Sequence, residues 1–305
     1  MGGPSAGLVG DIIMSIHELA FHCTVARHGT VALDVSLAKS AGFSAIEMSG
    51  IKLKKYFEAG YQAQDLKALL NGVSVPGIGY LRDIERNGCF ESELMNEAEA
   101  LFALASAAGA KGVQVLTGPI NVQAVIDHKE GKEPRFYSGL LDHTLEDQKK
   151  ITAHNLRRLA DLALQFNLTL YLEALAWTPM TGLSHQVELI DRADRSNVKM
   201  VIDFWHCYTS GDTPEHISKM SKDYLYGVHV CDSLQFEGGI PNEDILRDVP
   251  TGEGVLNLRE WADAVKSTGY QGWWSCELFC LKQHQGDSFK VAQDHFKLLN
   301  NLVNG

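Results

Sequence analysis

Short apolar runs alternate with longer amphipathic stretches along most of the chain. A strand that is covered on both faces is apolar at nearly every position, so the short runs predict buried strands. The longer stretches carry apolar residues at helical spacing, as at Ile151, Leu156, Leu159 and Ala163. The predicted strands are residues 18–24, 45–48, 73–80, 112–116, 168–172, 198–202, 225–230 and 273–276. The predicted helices are residues 31–40, 64–70, 91–108 and 145–166, with four more that begin near His185, Pro214, Leu258 and Ser288.

The regular alternation of strands and helices predicts a parallel sheet. Eight strands favour a single-domain α/β protein, a (β/α)8 TIM barrel, over an open doubly wound sheet. No Gly-x-Gly-x-x-Gly motif follows the first strand, which also argues against a dinucleotide-binding fold. We assign residues 15–305 to the barrel and residues 1–14 to an N-terminal extension or cloning remnant. Residues 117–144 are polar, lack a clear period and predict a long loop that is functional or mobile.

Four of the predicted strands contain or end at an acid or a histidine. These residues are Glu173, Asp203, His229 and Glu277. An unpaired buried charge is costly, so each carboxylate at such a place needs a partner. The ends of parallel barrel strands meet on one face, where the active sites of TIM barrels lie. Three carboxylates and one imidazole at that face predict a divalent metal site, for which Mn²⁺ is favoured and Mg²⁺, Co²⁺ or Zn²⁺ are alternatives.

Each of these residues also has an ordinary structural explanation. A single glutamate at a strand end is more often solvated or ion-paired, and a single histidine is more often a core residue. Four such groups on consecutive strands favour the metal site. His22, Glu47 and Tyr80 also fall at predicted mouth positions, where a structural role is slightly preferred. Trp177 and Trp205 could cover a sugar face or simply pack in the core.

Composition narrows the possible partners. The chain has 305 residues and a formal net charge of −11, which disfavours nucleic acid because phosphates attract basic surfaces. Its six cysteines lack the spacing of a disulfide framework, which favours free thiols in a reducing cytoplasm. No apolar run approaches the ~18–20 residues of a membrane helix, so we expect no membrane partner.

Several motifs resemble one known family. Asp203-Phe-Trp-His206, the strand end from His229 to Asp232, and the final strand with Glu277 resemble the xylose isomerase-like superfamily. The similarity is greatest to its sugar phosphate isomerase/epimerase branch, which includes ketose 3-epimerases and inosose isomerases and dehydratases. The segment 244–254 resembles that branch's Arg…Pro-Gly-x-Gly loop, although Thr251 departs from the pattern.

The resemblance implies a role for each candidate residue. The four metal ligands would be Glu173, Asp203, His229 and Glu277. His206 would contact the substrate, and Arg247 would bind a substrate hydroxyl or phosphate. Apart from the resemblance, Trp177 and His22 are candidate substrate contacts because they lie near predicted strand ends, and Asp232 could orient Arg247 or a ligand histidine. Members of this family are often dimers or tetramers, so a homo-oligomer is expected.

The implied reaction begins with proton abstraction next to a carbonyl and proceeds through a metal-stabilised enediolate. Glu173 and Glu277 would remove and return the proton. The sequence therefore predicts a metal-dependent isomerase or epimerase of a ketose or keto-cyclitol. The alternative is a lyase, either an inosose or dehydroshikimate-type dehydratase or a sugar-eliminating deglycosidase subunit. An extra acid such as His143 or His22 would favour the lyase. No phosphate-cradling glycine-rich loop is evident, which favours a non-phosphorylated substrate.

Overall fold

The computed structural model describes residues 17–133 and 135–305, so the predicted N-terminal extension lies outside the described residues. Within these ranges eight parallel strands close into a barrel in chain order, which confirms the predicted TIM barrel. The strands are β1 (Glu18–His22), β2 (Ala45–Ser49), β3 (Ile78–Leu81), β4 (Gly112–Leu116), β5 (Thr169–Glu173), β6 (Val198–Asp203), β7 (Leu225–Val230) and β8 (Trp273–Cys276).

Helices surround the barrel. They are α1 (Val31–Ala41), α2 (Gly50–Glu58), α3 (Ala63–Leu69), α4 (Glu91–Ala107), α5 (Val122–Lys129), α6 (Leu145–Leu164), α7 (Leu183–Ala193), α8 (Phe204–Thr209), α9 (Pro214–Ser218), α10 (Glu243–Leu246), α11 (Leu258–Ser267), α12 (Leu281–His284) and α13 (Ser288–Val303). Leu19 and Phe21 of β1 belong to the core shared with the helices, whereas Ala20 faces the barrel interior. Among the described residues, no helix combines the length and the apolarity needed to cross a membrane.

Three sequence predictions need correction. Residues 50–58 form α2, a short helix that the sequence analysis missed and that the Ser49 side chain caps by accepting from the Lys52 N–H. The predicted loop at 117–144 contains α5, which Asn121 caps in the same way. β3 begins at Ile78 instead of Val73, because the segment before it includes Pro76, which has no N–H to donate.

Aromatic side chains fill the interior of the barrel beneath the carboxyl ends of its strands. Tyr171, Tyr226 and Trp273 pack together with small residues from other strands. A Cβ atom at Gly227 would overlap the Trp273 ring, so only glycine allows this close approach. The Tyr171 hydroxyl donates upward to the Glu47 carboxylate over 2.7 Å. The packed interior is therefore also the floor of the candidate site.

Candidate metal centre and substrate cavity

The four predicted metal ligands come together at the carboxyl ends of β5 to β8. His229 Nδ1 lies 3.3 Å from Glu173 Oε1 and 3.9 Å from Asp203 Oδ2. Asp203, His229 and Glu277 each offer a ligand atom, and these atoms lie within 4.8 Å of one another. Asp203 and His229 are fully buried, Glu173 nearly so, and Glu277 opens slightly towards solvent.

These residues fit a divalent cation. Oxygen and nitrogen ligands lie about 2.0–2.2 Å from such ions, so donor atoms at these separations can share one ion. Three carboxylates and an imidazole form a donor set suited to Mn²⁺, Mg²⁺, Co²⁺ or Zn²⁺. His206 also lies beside this centre, since its ring groups with Glu173 and Asp203 within 4.8 Å. The geometry brings the predicted ligands together, and their occupancy by a metal stays a prediction.

Glu47 holds His229 in the orientation that a metal ligand needs. His229 Nε2 lies 3.0 Å from one Glu47 oxygen and 3.2 Å from the other. A proton on Nε2 leaves the Nδ1 lone pair facing Glu173 and Asp203, as in carboxylate–histidine–metal arrangements. Glu47 also accepts from Ser275 over 3.1 Å. Burial by itself raises the pKa of Glu47, but His229 and His22 outweigh this effect and lower it.

Glu173 and Glu277 lie in different electrostatic surroundings. Glu173 accepts from Gln114 Nε2 over 2.9 Å, and burial raises its pKa to about 7 despite the opposing effect of His229. Glu277 accepts from Arg247 Nη2 over 2.6 Å. Burial also acts to raise the pKa of Glu277, but Arg247, His22 and His229 together outweigh it and the net shift of the pKa is downward. Without a metal, the two carboxylates therefore differ in how readily they hold a proton.

His206 presents a neutral imidazole to the cavity. Asp203 caps α8 by accepting from the His206 N–H over 2.7 Å, which fixes the histidine beside the centre. His206 Nδ1 accepts from the Ala176 N–H over 3.0 Å, so the ring proton is on Nε2. Burial lowers the pKa of His206 to about 4. Trp177 lies against this ring, with 5.7 Å between centroids, and donates to the Pro119 carbonyl.

Arg247 is bound on several sides by carboxylates. Its Nη2 lies 2.6 Å from Glu277 and 3.5 Å from Asp203, and its Nη1 lies 3.6 Å from Glu243. The guanidinium also stacks over Phe279 at 3.9 Å from the ring centroid. The predicted substrate contact is thus also the residue that positions Glu277.

Asp232 has a role different from the one predicted. Its carboxylate accepts backbone N–H groups from Gly252, Gly254 and Leu256 at 2.9 to 3.1 Å. A Cβ atom at Gly254 would overlap this carboxylate. Asp232 therefore fixes the loop that follows Arg247, and within the described residues its carboxylate hydrogen-bonds to backbone N–H groups and not to Arg247 or a ligand histidine.

A cavity of about 720 Å³ opens above the centre. It is lined by all four predicted substrate contacts, namely His22, Trp177, His206 and Arg247. His22 Nε2 lies 3.5 Å from Glu47 and 3.7 Å from Glu277, and Tyr80 lines the same cavity. This volume is in the range of ~300–1,000 Å³ typical of small-molecule sites.

Other predicted candidates lie elsewhere. Trp205 is fully buried beneath Arg247 and packs in the core. His128 pairs with Asp142 over 3.1 Å on the surface, and neither it nor His143 lines the cavity. Gln114 was missed, although it interrupts the apolar sequence of β4 as Glu47 interrupts that of β2. That interruption is the signal by which both supporting residues could be found.

Comparison with known proteins agrees with this fold. A sequence model of the xylose isomerase-like TIM barrel family matches residues 35–301, and the chain belongs to this family. The chain is 25% identical over 152 residues to an inosose isomerase from Halalkalibacterium halodurans, covering 48% of this chain and 53% of the relative. It is 25% identical over 284 residues to a 3-dehydroshikimate dehydratase from Pseudomonas aeruginosa, covering 92% of this chain and 40% of the relative. The chain thus spans about half the length of these two relatives, or less.

Solved structures show the same fold. The crystal structure of the IOLI protein with a bound zinc atom has a TM-score of 0.79 and 19% sequence identity, with 94% of this chain and 98% of that chain covered. An enzyme within the range of isomerases and dehydratases therefore fits this scaffold.

Proposed function

We propose that the protein is a divalent-metal-dependent isomerase or epimerase of a ketose or keto-cyclitol. The observation that carries this proposal is the placement of two carboxylates around one centre. Glu173 on β5 and Glu277 after β8 flank Asp203 and His229 in the strand order of the barrel. Both line the cavity together with His206.

Mn²⁺ is the metal we favour, and when bound it would polarise a substrate carbonyl and stabilise the negative charge that develops on its oxygen. His206 Nε2–H can donate to a substrate oxygen, while Gln114 and Arg247 hold the Glu173 and Glu277 carboxylates in place. One carboxylate removes the proton next to the carbonyl and the other returns a proton. Return to the opposite face inverts the centre, and return to the neighbouring carbon gives isomerisation.

One observation favours a dehydratase as the second candidate. Glu243 lines the cavity, lies 3.6 Å from Arg247 Nη1 and does not belong to the predicted ligand set. Burial raises its pKa to about 8, against the lowering effect of Arg247. A carboxylic acid at this position could protonate a departing β-hydroxyl group, as could His22. The same first proton abstraction would then end in elimination of water.

The test begins with metal content. Purified protein is stripped with chelator, soaked in Mn²⁺ and analysed by elemental mass spectrometry; absence of a bound ion would refute the proposed function. The loaded enzyme is then incubated in D₂O with a panel of ketoses and inososes. Solvent deuterium in a product that is otherwise unchanged in mass supports the epimerase or isomerase. Loss of water with an absorbing enone supports the dehydratase.

Two variants test the proton-transfer roles. Glu173→Gln and Glu277→Gln should each lower turnover by about 10²–10⁴-fold, the usual contribution of a positioned acid or base. Glu253→Gln is the matched control, since this exposed glutamate does not line the cavity. Glu243→Gln separates the two candidates, because only an elimination needs that extra acid. Full turnover in both of the first two variants would contradict the two-carboxylate mechanism.

A further inference from the structure

The cavity continues well beyond the metal centre. One end is lined by Glu173, Glu277 and His206, and the other end lies between the start of α1 and the length of α2. We call this second part the outer arm and define it by six lining residues: Arg27, His28, Ile51, Lys55, Tyr56 and Tyr61.

The outer arm is long enough for a second ring. The cavity is lined by Ile51 near the start of α2 and by Ala59 just past its end. A helix rises 1.5 Å per residue, so these two positions are about 12 Å apart along the helix axis. A single sugar or cyclitol ring at the metal centre would therefore leave the outer arm unfilled.

The charge of the outer arm is opposite to that of the metal centre. The centre is rich in carboxylates, whereas no Asp or Glu is among the described residues that line the outer arm. Lys52 reaches this region, but its ammonium is already bound by Asp34 at 2.8 Å. Arg27 and Lys55 are exposed, and within the described ranges neither pairs with a carboxylate. In a chain with a net charge of −11, this unpaired positive charge favours an anionic ligand group.

Aromatic and apolar surfaces complete the outer arm. Tyr56 and Tyr61 stack with 4.3 Å between ring centroids. Tyr61 is 52% exposed and Ile51 is 64% exposed, although both line the cavity. Exposed apolar groups gathered at a cavity commonly mark a ligand surface. A planar group could pack against them while its charge meets Lys55 or Arg27.

We propose that the substrate has two parts: a sugar or cyclitol ring at the metal centre, joined to a planar, negatively charged group that occupies the outer arm. This inference rests on the proposed function for the placement of the ring. The outer arm itself is defined by its own residues, and its binding can be measured without turnover.

Three glucosides serve as probes, because they lack the carbonyl that the reaction requires. They are methyl, phenyl and 4-carboxyphenyl β-D-glucoside, which add first a planar group and then a charge. Isothermal titration of the Mn²⁺-loaded protein should give tighter binding at each step. We expect about a tenfold gain from the carboxylate, equivalent to about 1.4 kcal/mol. Equal affinities for the three probes, including a shared failure to bind, would overturn the inference.

Neighbouring lysines on α2 provide a matched pair of variants. Lys55→Glu should abolish the gain from the carboxylate. Lys54→Glu should leave it intact, because Lys54 does not line the cavity and lies 3.8 Å from Glu58. An unchanged gain in Lys55→Glu, or an equal loss in both variants, would contradict a specific role for the outer arm.

Turnover of the corresponding 3-keto sugars separates this inference from the proposed function. If 3-keto-glucose reacts but the aryl groups add no affinity, the proposed function stands and the two-part substrate is wrong. If the acidic probe binds through Lys55 but no keto sugar or inosose reacts, the outer arm stands and the proposed function is wrong.

Discussion

The two halves of the barrel contribute differently to the candidate site. β5 to β8 present the four potential metal ligands, whereas β1 to β4 present residues that hold those ligands, notably Glu47 against His229 and Gln114 against Glu173. The first half also leads into the outer arm of the cavity. Buried polar residues on similar strands therefore have different roles: those of β5 to β8 are placed for the chemistry, and those of β1 to β4 hold them in position.

The largest effect is expected in the second half, from Asp203→Asn. Asp203 is predicted to bind the metal and also caps α8. Asparagine keeps a cap acceptor but removes the negative charge, so the fold should persist while metal binding fails. We expect turnover to fall by at least about 10³-fold, since a catalytic metal supplies several kcal/mol. Metal analysis, turnover and thermal unfolding should be measured together; retained Mn²⁺ with normal turnover would remove Asp203 from the ligand set.

In the first half of the barrel, Glu47→Gln should have a smaller effect on metal binding than Asp203→Asn. The glutamine keeps an acceptor for His229 Nε2–H but loses the charge that increases the basicity of Nδ1. Removing such an outer partner typically lowers metal affinity or activity about 10–100-fold. Mn²⁺ titration of the variant measures the loss of metal affinity directly. Ser275→Ala, which removes another contact of Glu47, is the control and should change affinity far less. Equal affinities in wild type and Glu47→Gln would make Glu47 a purely structural residue.

This asymmetry explains how much of the site could be predicted. The ligands of β5 to β8 could be found because each interrupts an apolar strand and because their order resembles a known family. Glu47 and Gln114 interrupt their strands in the same way, but a single sequence does not say which ligand each would face. Their roles depend on barrel closure, which brings β2 and β7 side chains together across the interior.

The fold was predicted more completely than the cavity. Strand–helix alternation is a local signal, so the barrel and most of its strands could be predicted. α2 is short, and its start is marked only by Ser49, so the outer arm that it forms was not foreseen. The contacts of Asp232 with Gly252 and Gly254 depend on loop packing and have no periodic signal in the sequence.

Glu85 is a buried acid outside the candidate site. Unlike Glu277, which pairs with Arg247, it forms no ion pair within the described residues. It is 1% exposed and, in the described structure, neither oxygen accepts a well-formed hydrogen bond, although the Tyr137 hydroxyl lies nearby. Burial raises its pKa to about 8, and Asp83 adds to the effect. The folded state therefore binds more protons than the unfolded state between about pH 4.5 and pH 8, and stability should fall as pH rises through this window.

Glu85→Gln should remove that pH dependence. The variant should be more stable than wild type at pH 8 by about 1–3 kcal/mol, the usual cost of an uncompensated buried polar group. Urea unfolding at pH 6 and pH 8 measures the difference, with exposed Glu99→Gln as the control. Added Mn²⁺ should not alter this effect, because Glu85 does not line the cavity. A variant that is less stable than wild type at pH 8 would show that the Glu85 carboxylate is stabilising.

The smallest effect is expected at the far end of the outer arm, from Tyr61→Ala. Tyr61 is half exposed and stacks on Tyr56, so its loss should not disturb the barrel. Aromatic pairs contribute about 0.5–1.5 kcal/mol beyond burial, so KM should rise about 2–10-fold for substrates with a planar appended group. The kcat should stay unchanged, because the proton-transfer residues are untouched, and Tyr61→Phe should restore KM. A fall in kcat with constant KM would mean that the outer arm acts on the chemistry, and the division between the two halves would have to be abandoned.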